Sequence, residues 1–135
     1  MGPLRKWRQG LSLVELLIVI AVIAVLSALL LPVVLNVKQG AELTTARQQQ
    51  AELQTALGNW IVAKSGGLGG LAAARAAYTG TKLTLLRDYL QEATYSSLIG
   101  DGDTVRSAAL DSANAYLRFS SWSVEQQPNV QWINQ

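Results

Sequence analysis

The chain has 135 residues, room for one small domain plus an attachment segment, and half of them are hydrophobic while 15% are charged. It contains no cysteine and no histidine, which excludes disulfides, thiolate metal sites, cysteine nucleophiles and the most common general base. The net charge of +2 is local: Arg5, Lys6 and Arg8 carry three positive charges, and the other eight basic residues against nine acidic ones leave −1. A basic balance of that kind marks a leader rather than a nucleic-acid surface, and no nucleic-acid partner is expected.

Residues 1–10, MGPLRKWRQG, are short, basic and free of acid. Residues 11–37 follow as an apolar run, and from Leu16 to Val37 there are 22 residues without a charge. A bilayer core of about 30 Å needs about 20 apolar residues in a helix, so the run is long enough to span. One reading is a cleaved secretory signal, cut near Val22-Ile23-Ala24. That cut leaves Val25 to Leu35 as an apolar new terminus. A generic signal anchor is a second reading. Glu15 sits badly with both, because a carboxylate inside a spanning helix costs about 2.5–3.5 kcal/mol on insertion scales. Near the membrane edge it reaches headgroups; deeper in the apolar layer it needs a partner charge.

A basic leader, Gly10, then Leu-Ser-Leu-Val-Glu at 11–15 and an unbroken apolar run resemble the processing motif of type IV prepilins and type II secretion pseudopilins. The resemblance implies a cut between Gly10 and Leu11 by prepilin peptidase and N-methylation of Leu11. It implies that Glu15, fifth after the cut, pairs with the N-terminal amine of a neighbouring subunit, which offsets the burial of both charges. The family most often has Phe at the first mature position, where this chain has Leu11. Pro32 falls late in the run, where pilin-like helices often carry a kinking proline, and it removes one helical hydrogen bond. The positive leader stays cytoplasmic, which places the C-terminal domain outside a bacterial inner membrane. Lipid, prepilin peptidase and other pilin-like subunits are the implied partners.

Beyond the membrane run the helix is expected to continue as an amphipathic stretch over 38–64, rich in Ala, Gln, Leu and Glu. Leu43, Ala46, Leu53, Leu57 and Trp60 form a stripe at helical spacing, with Gln50 interrupting it. The glycines of Ser65–Gly70 end that helix. The remainder, 65–135, reads as a small globular domain. A short helix is expected over Leu71–Tyr78, another over about Thr81–Thr94, and a third, ambiguously, over Thr104–Ala113. Ala115–Val124 and Asn129–Asn134 read as an antiparallel hairpin carrying Trp122 and Trp132. The fold class is therefore α+β: a long N-terminal helix, half transmembrane and half amphipathic, packed on short helices and a hairpin.

Asp101 and Asp103 in a glycine-rich turn offer hard oxygen ligands, but the closing residues of a calcium loop are missing. No metal and no cofactor are assigned. Catalysis without His or Cys needs a carboxylate pair, such as Asp101 with Asp111 or Asp88 with Glu92, and the chain reads as non-enzymatic. The expected function is a structural subunit precursor of a type IV pilus or type II secretion pseudopilus. The alternative is a single-pass membrane-anchored binding protein without a filament.

Overall fold

The computed structural model of the chain describes residues 12–135, and it divides after Lys38 into two units. The first helix, α1 (Leu13–Ser65), contributes to both. From Leu13 to Lys38 the structure is helix with every residue exposed, in keeping with an all-round apolar sequence that has no face to bury. Its one hydroxyl between Leu13 and Val37, Ser27, donates to the Ile23 carbonyl at 2.8 Å. By length and composition this helix is able to cross a membrane.

The second unit, residues 39–135, has its own core. From α1 it takes Ala46, Leu53, Ala56, Leu57, Trp60 and Ile61. These follow the helical period, which is why the stretch reads as amphipathic. Leu43, on the expected stripe, is 46% exposed, because burial begins one turn later at Ala46. After α1 come α2 (Gly70–Ala77), α3 (Lys82–Leu85), a 3-10 turn at Arg87–Tyr89 and α4 (Glu92–Ser97). A four-stranded sheet follows: β1 (Ile99–Asp101), β2 (Thr104–Arg106), β3 (Ala115–Phe119) and β4 (Val130–Asn134), with α5 (Ala108–Ser112) between β2 and β3. Strand order is β1-β2-β3-β4, antiparallel throughout. Ala115, Leu117 and Phe119 alternate inward along β3 and meet Val105 of β2 and Val130 of β4 in the core.

The α+β class stands, and the hairpin expected at the C-terminus is the far half of this larger sheet. Three expectations change. Thr104–Ala113 is not one helix: Thr104–Arg106 pairs as a strand, and Ser107 then starts α5 by accepting from the Leu110 N–H at 3.2 Å. Thr81–Thr94 is not one helix either. The chain leaves helical geometry at Leu90 (φ −112°, ψ 149°), and Leu83 and Leu86 are buried from a shorter element. Trp122 lies outside the strands, 5.7 Å from the Tyr78 ring, while Trp132 opposes Leu117 in β4. Of the two roles open to them, cross-strand pair or core aromatics, the tryptophans take the second: β3 ends at Phe119, before Trp122, and both pack partly buried against the core.

Amide side chains join α1 to the sheet. Gln54 Oε1 accepts from the Val130 N–H at 2.7 Å, and Gln50 Nε2 donates to the Val130 carbonyl at 3.3 Å. One turn of helix thus offers the β4 edge an acceptor and a donor, as another strand does. Gln49, 8% exposed, accepts from Ser107 Oγ at 2.7 Å and donates to Ser97 Oγ at 3.3 Å. These bonds satisfy polar groups that burial otherwise strands.

The β1–β2 hairpin closes through Gly102 and Asp103, with positive φ at Gly102 (56°) and not at Asp103, the type II′ pattern. Gly100 matters for a different reason. A Cβ there stands 2.6 Å from Leu83 Cβ, so β1 lies against α3 only because the side chain is absent. Gly58, inside α1, has open space around it. Gly100→Ala is expected to destabilise the second unit by ~1–3 kcal/mol, and Gly58→Ala to stabilise it by roughly 0.5–1 kcal/mol. Urea unfolding of the full chain in mild detergent, followed by Trp fluorescence, checks both signs.

Candidate assembly and processing element

Of the sequence-predicted site residues, Gly10 and Leu11 lie outside the described residues. Glu15 lies in the first turn of α1 and Pro32 within it. Pro32 has no N–H, so the Ala28 carbonyl four residues back loses its helical donor. The apolar side chains around Glu15 are all outward: Leu13 is 80% exposed and Val14 65%.

The start of α1 carries a feature that spacing toward Gly10 did not bring out. The Ser12 N–H donates to Glu15 Oε2 at 3.1 Å, and the Glu15 N–H donates to Ser12 Oγ at 3.2 Å. This reciprocal pair is a capping box, Ser-x-x-Glu, which satisfies two N-terminal donors that otherwise have no helical acceptor. The signal was present in the sequence as Ser12-Leu13-Val14-Glu15 ahead of an apolar run. Glu15 therefore has a local structural role whatever else it meets. Its negative charge also suits the positive end of the helix dipole.

The turn with Asp101 and Asp103 is held differently from a metal loop. Among the described residues no three acidic side chains gather. The Lys82 side chain, 10% exposed, brings its ammonium 3.5 Å from Asp103 Oδ1 and 3.2 Å from each of the Tyr78 and Gly80 carbonyls. The Lys82 N–H donates to the Gly102 carbonyl at 2.9 Å. A built-in cation thus sits among three oxygens, and 4.5 Å from the Tyr78 ring. Of the carboxylates weighed for catalysis, Asp111 lies 3.8 Å from Arg106, and Asp88 and Glu92 fall on separate elements.

Tyr78 ties this turn to the core. Its ring is 6.0 Å from that of Trp60, and its hydroxyl donates to the Ser120 carbonyl at 3.2 Å. Burial pushes the phenol well above its ordinary value, and the Asp103 charge raises it further.

Residues 8–31 match the family model described as the prokaryotic N-terminal methylation motif. The matched span includes Gly10, Leu11 and Glu15 and ends one residue before Pro32. No curated protein and no solved structure matches the chain. The motif supports a type IV pilin-like or pseudopilin family, and with it a prepilin-like precursor processed by peptidase. That family is structural rather than enzymatic. The motif and the single apolar N-terminal helix fit an inner-membrane anchored protein.

Three outcomes follow from the Lys82–Tyr78 cluster. Lys82→Ala leaves the buried Tyr78 carbonyl without its ammonium donor and is expected to cost ~1–3 kcal/mol, whereas Asp103→Asn, at an exposed carboxylate, costs less than about 1 kcal/mol. With the folded phenol raised, stability is intact below the unfolded value near pH ~10. Above it the unfolded chain binds fewer protons than the folded one, so stability falls as pH rises. Tyr78→Phe removes that alkaline slope; denaturant midpoints measured from pH 8 to 11 read it.

Proposed function

We propose that this chain is a structural subunit of a type IV pilus or a type II secretion pseudopilus, assembled through its N-terminal helix and without catalytic activity. The observation that carries the reading is Glu15: one carboxylate at the start of an otherwise uncharged helical surface, five residues beyond Gly10, within the matched methylation motif. Prepilin peptidase cuts after Gly10 and Leu11 becomes the methylated N-terminus. The basic leader, residues 1–10, stays on the cytoplasmic side until it is removed. Residues 11–37 then anchor the subunit in the inner membrane, with 38–64 as their helical continuation and 65–135 as the domain outside.

Assembly moves the apolar helix from lipid into a bundle of its neighbours. Apolar contacts alone discriminate poorly between registers, since lipid tails are as apolar as Leu. A charge pair discriminates strongly: the Glu15 carboxylate meeting the Leu11 amine of an adjacent subunit neutralises two groups that the apolar layer otherwise penalises. Pro32, by removing the bond to the Ala28 carbonyl, gives the helix a place to bend within the bundle.

Glu15→Gln keeps the shape and the capping donor–acceptor pattern but removes the charge. In the native host, this variant is expected to reach the membrane at wild-type level and to be lost from the sheared filament fraction by at least about tenfold, the equivalent of about 1.4 kcal/mol. Wild-type filament yield from Glu15→Gln contradicts the assembly role.

A further inference from the structure

We infer that Ser12 is a positioning residue for Glu15: the capping box ties down one carboxylate oxygen and leaves the other for the donor of a neighbouring subunit. The inference rests on the assembly reading above and adds a second residue to it. The geometry is reciprocal. Oε2 of Glu15 accepts from the Ser12 N–H, and Ser12 Oγ accepts from the Glu15 N–H. Among the described residues, Oε1 takes no hydrogen bond, and the Glu15 side chain is exposed.

Three consequences follow for an approaching cation. First, a glutamate has three side-chain torsions, and holding Oε2 on its own helix start removes most of that freedom before the neighbour arrives. The ordering cost then falls on the monomer and not on the assembly step. Second, the bond that holds Oε2 comes from the amide between Leu11 and Ser12, which lies beyond the Gly10–Leu11 bond. A cut at that bond therefore leaves the capping box intact. Third, the monomer in lipid carries a carboxylate already solvated by one N–H, which lowers its penalty in the apolar layer without consuming both oxygens.

The test compares wild type, Ser12→Ala, Ser12→Thr and Glu15→Gln in the native host, with filament yield normalised to the processed membrane pool. Ser12→Ala is expected to lower normalised yield about fivefold, the scale of losing an N-cap. Ser12→Thr, which retains a capping hydroxyl, is expected to restore it to within about twofold. Equal yields for Ser12→Ala and wild type overturn the inference, as does a Ser12→Thr variant no better than Ser12→Ala. Glu15→Gln separates the two levels. If it assembles normally the assembly reading fails, whereas if it fails while Ser12→Ala assembles normally only the role of Ser12 fails. A second measurement decides the case in which a Ser12 variant is not processed. Amide hydrogen exchange of the full chain in bicelles is expected to show Glu15 N–H protection lost in Ser12→Ala and Ser12 N–H protection lost in Glu15→Ala. Unchanged protection in both overturns the capping box itself.

Discussion

The apolar surface from Leu13 to Val37 has to be covered. It presents eighteen exposed Leu, Ile and Val side chains. Each is worth roughly 1.5–3 kcal/mol on full removal from water. Even partial coverage makes tens of kcal/mol, far above the marginal stability of a small domain. No fold of the remaining chain supplies that cover in the described structure. By length and composition the helix is able to cross a membrane, which fits an inner-membrane anchored protein. The second unit has its own core around Trp60, Leu117 and Phe119.

Against that background Glu15 is the expensive residue. A uniformly apolar anchor is cheaper to insert, so a carboxylate at a fixed distance from Gly10 calls for compensation. The structure provides the first part of it at the helix start, where Ser12 and Glu15 satisfy each other's backbone donors. The proposed subunit amine provides the rest. The two are compatible because a carboxylate accepts through two oxygens. In the proposed assembly, a group half satisfied in the membrane and fully satisfied in a filament would bias the chain toward the filament without making the membrane state inaccessible.

The N-terminal third was legible in the sequence because its signals are one-dimensional: an uncharged run, a glycine, a glutamate at a set spacing. Burial of Ala46, Leu53, Leu57 and Trp60 was legible from the helical period for the same reason. The small domain was less so. Ile99-Gly100-Asp101 is three residues long, too short for alternation to show, and its place is fixed by Gly100 lying against Leu83. Gln50 reads as an interruption of the apolar stripe, and nothing local marks Gln49 or Gln54 as contacts to the sheet. In fact they bind Ser107 and the Val130 backbone, contacts some 58 to 80 residues away along the chain that no local pattern encodes. The helix expected over Thr81–Thr94 broke for a related reason: its propensity is real, but packing of Leu83 and Leu86 and the Lys82 bonds to the β1–β2 turn decide the backbone path. The capping box was a missed signal that the sequence did contain, as Ser12-Leu13-Val14-Glu15.

The central claim is that this chain is a processed subunit and not a plain anchor, and it concerns one covalent bond. Mass spectrometry of the N-terminal peptide of the chain purified from native membranes reads it directly. The account predicts a peptide beginning at Leu11 and carrying one added methyl group on its amine. A peptide beginning at Met1, or at a residue just after Ala24, contradicts it.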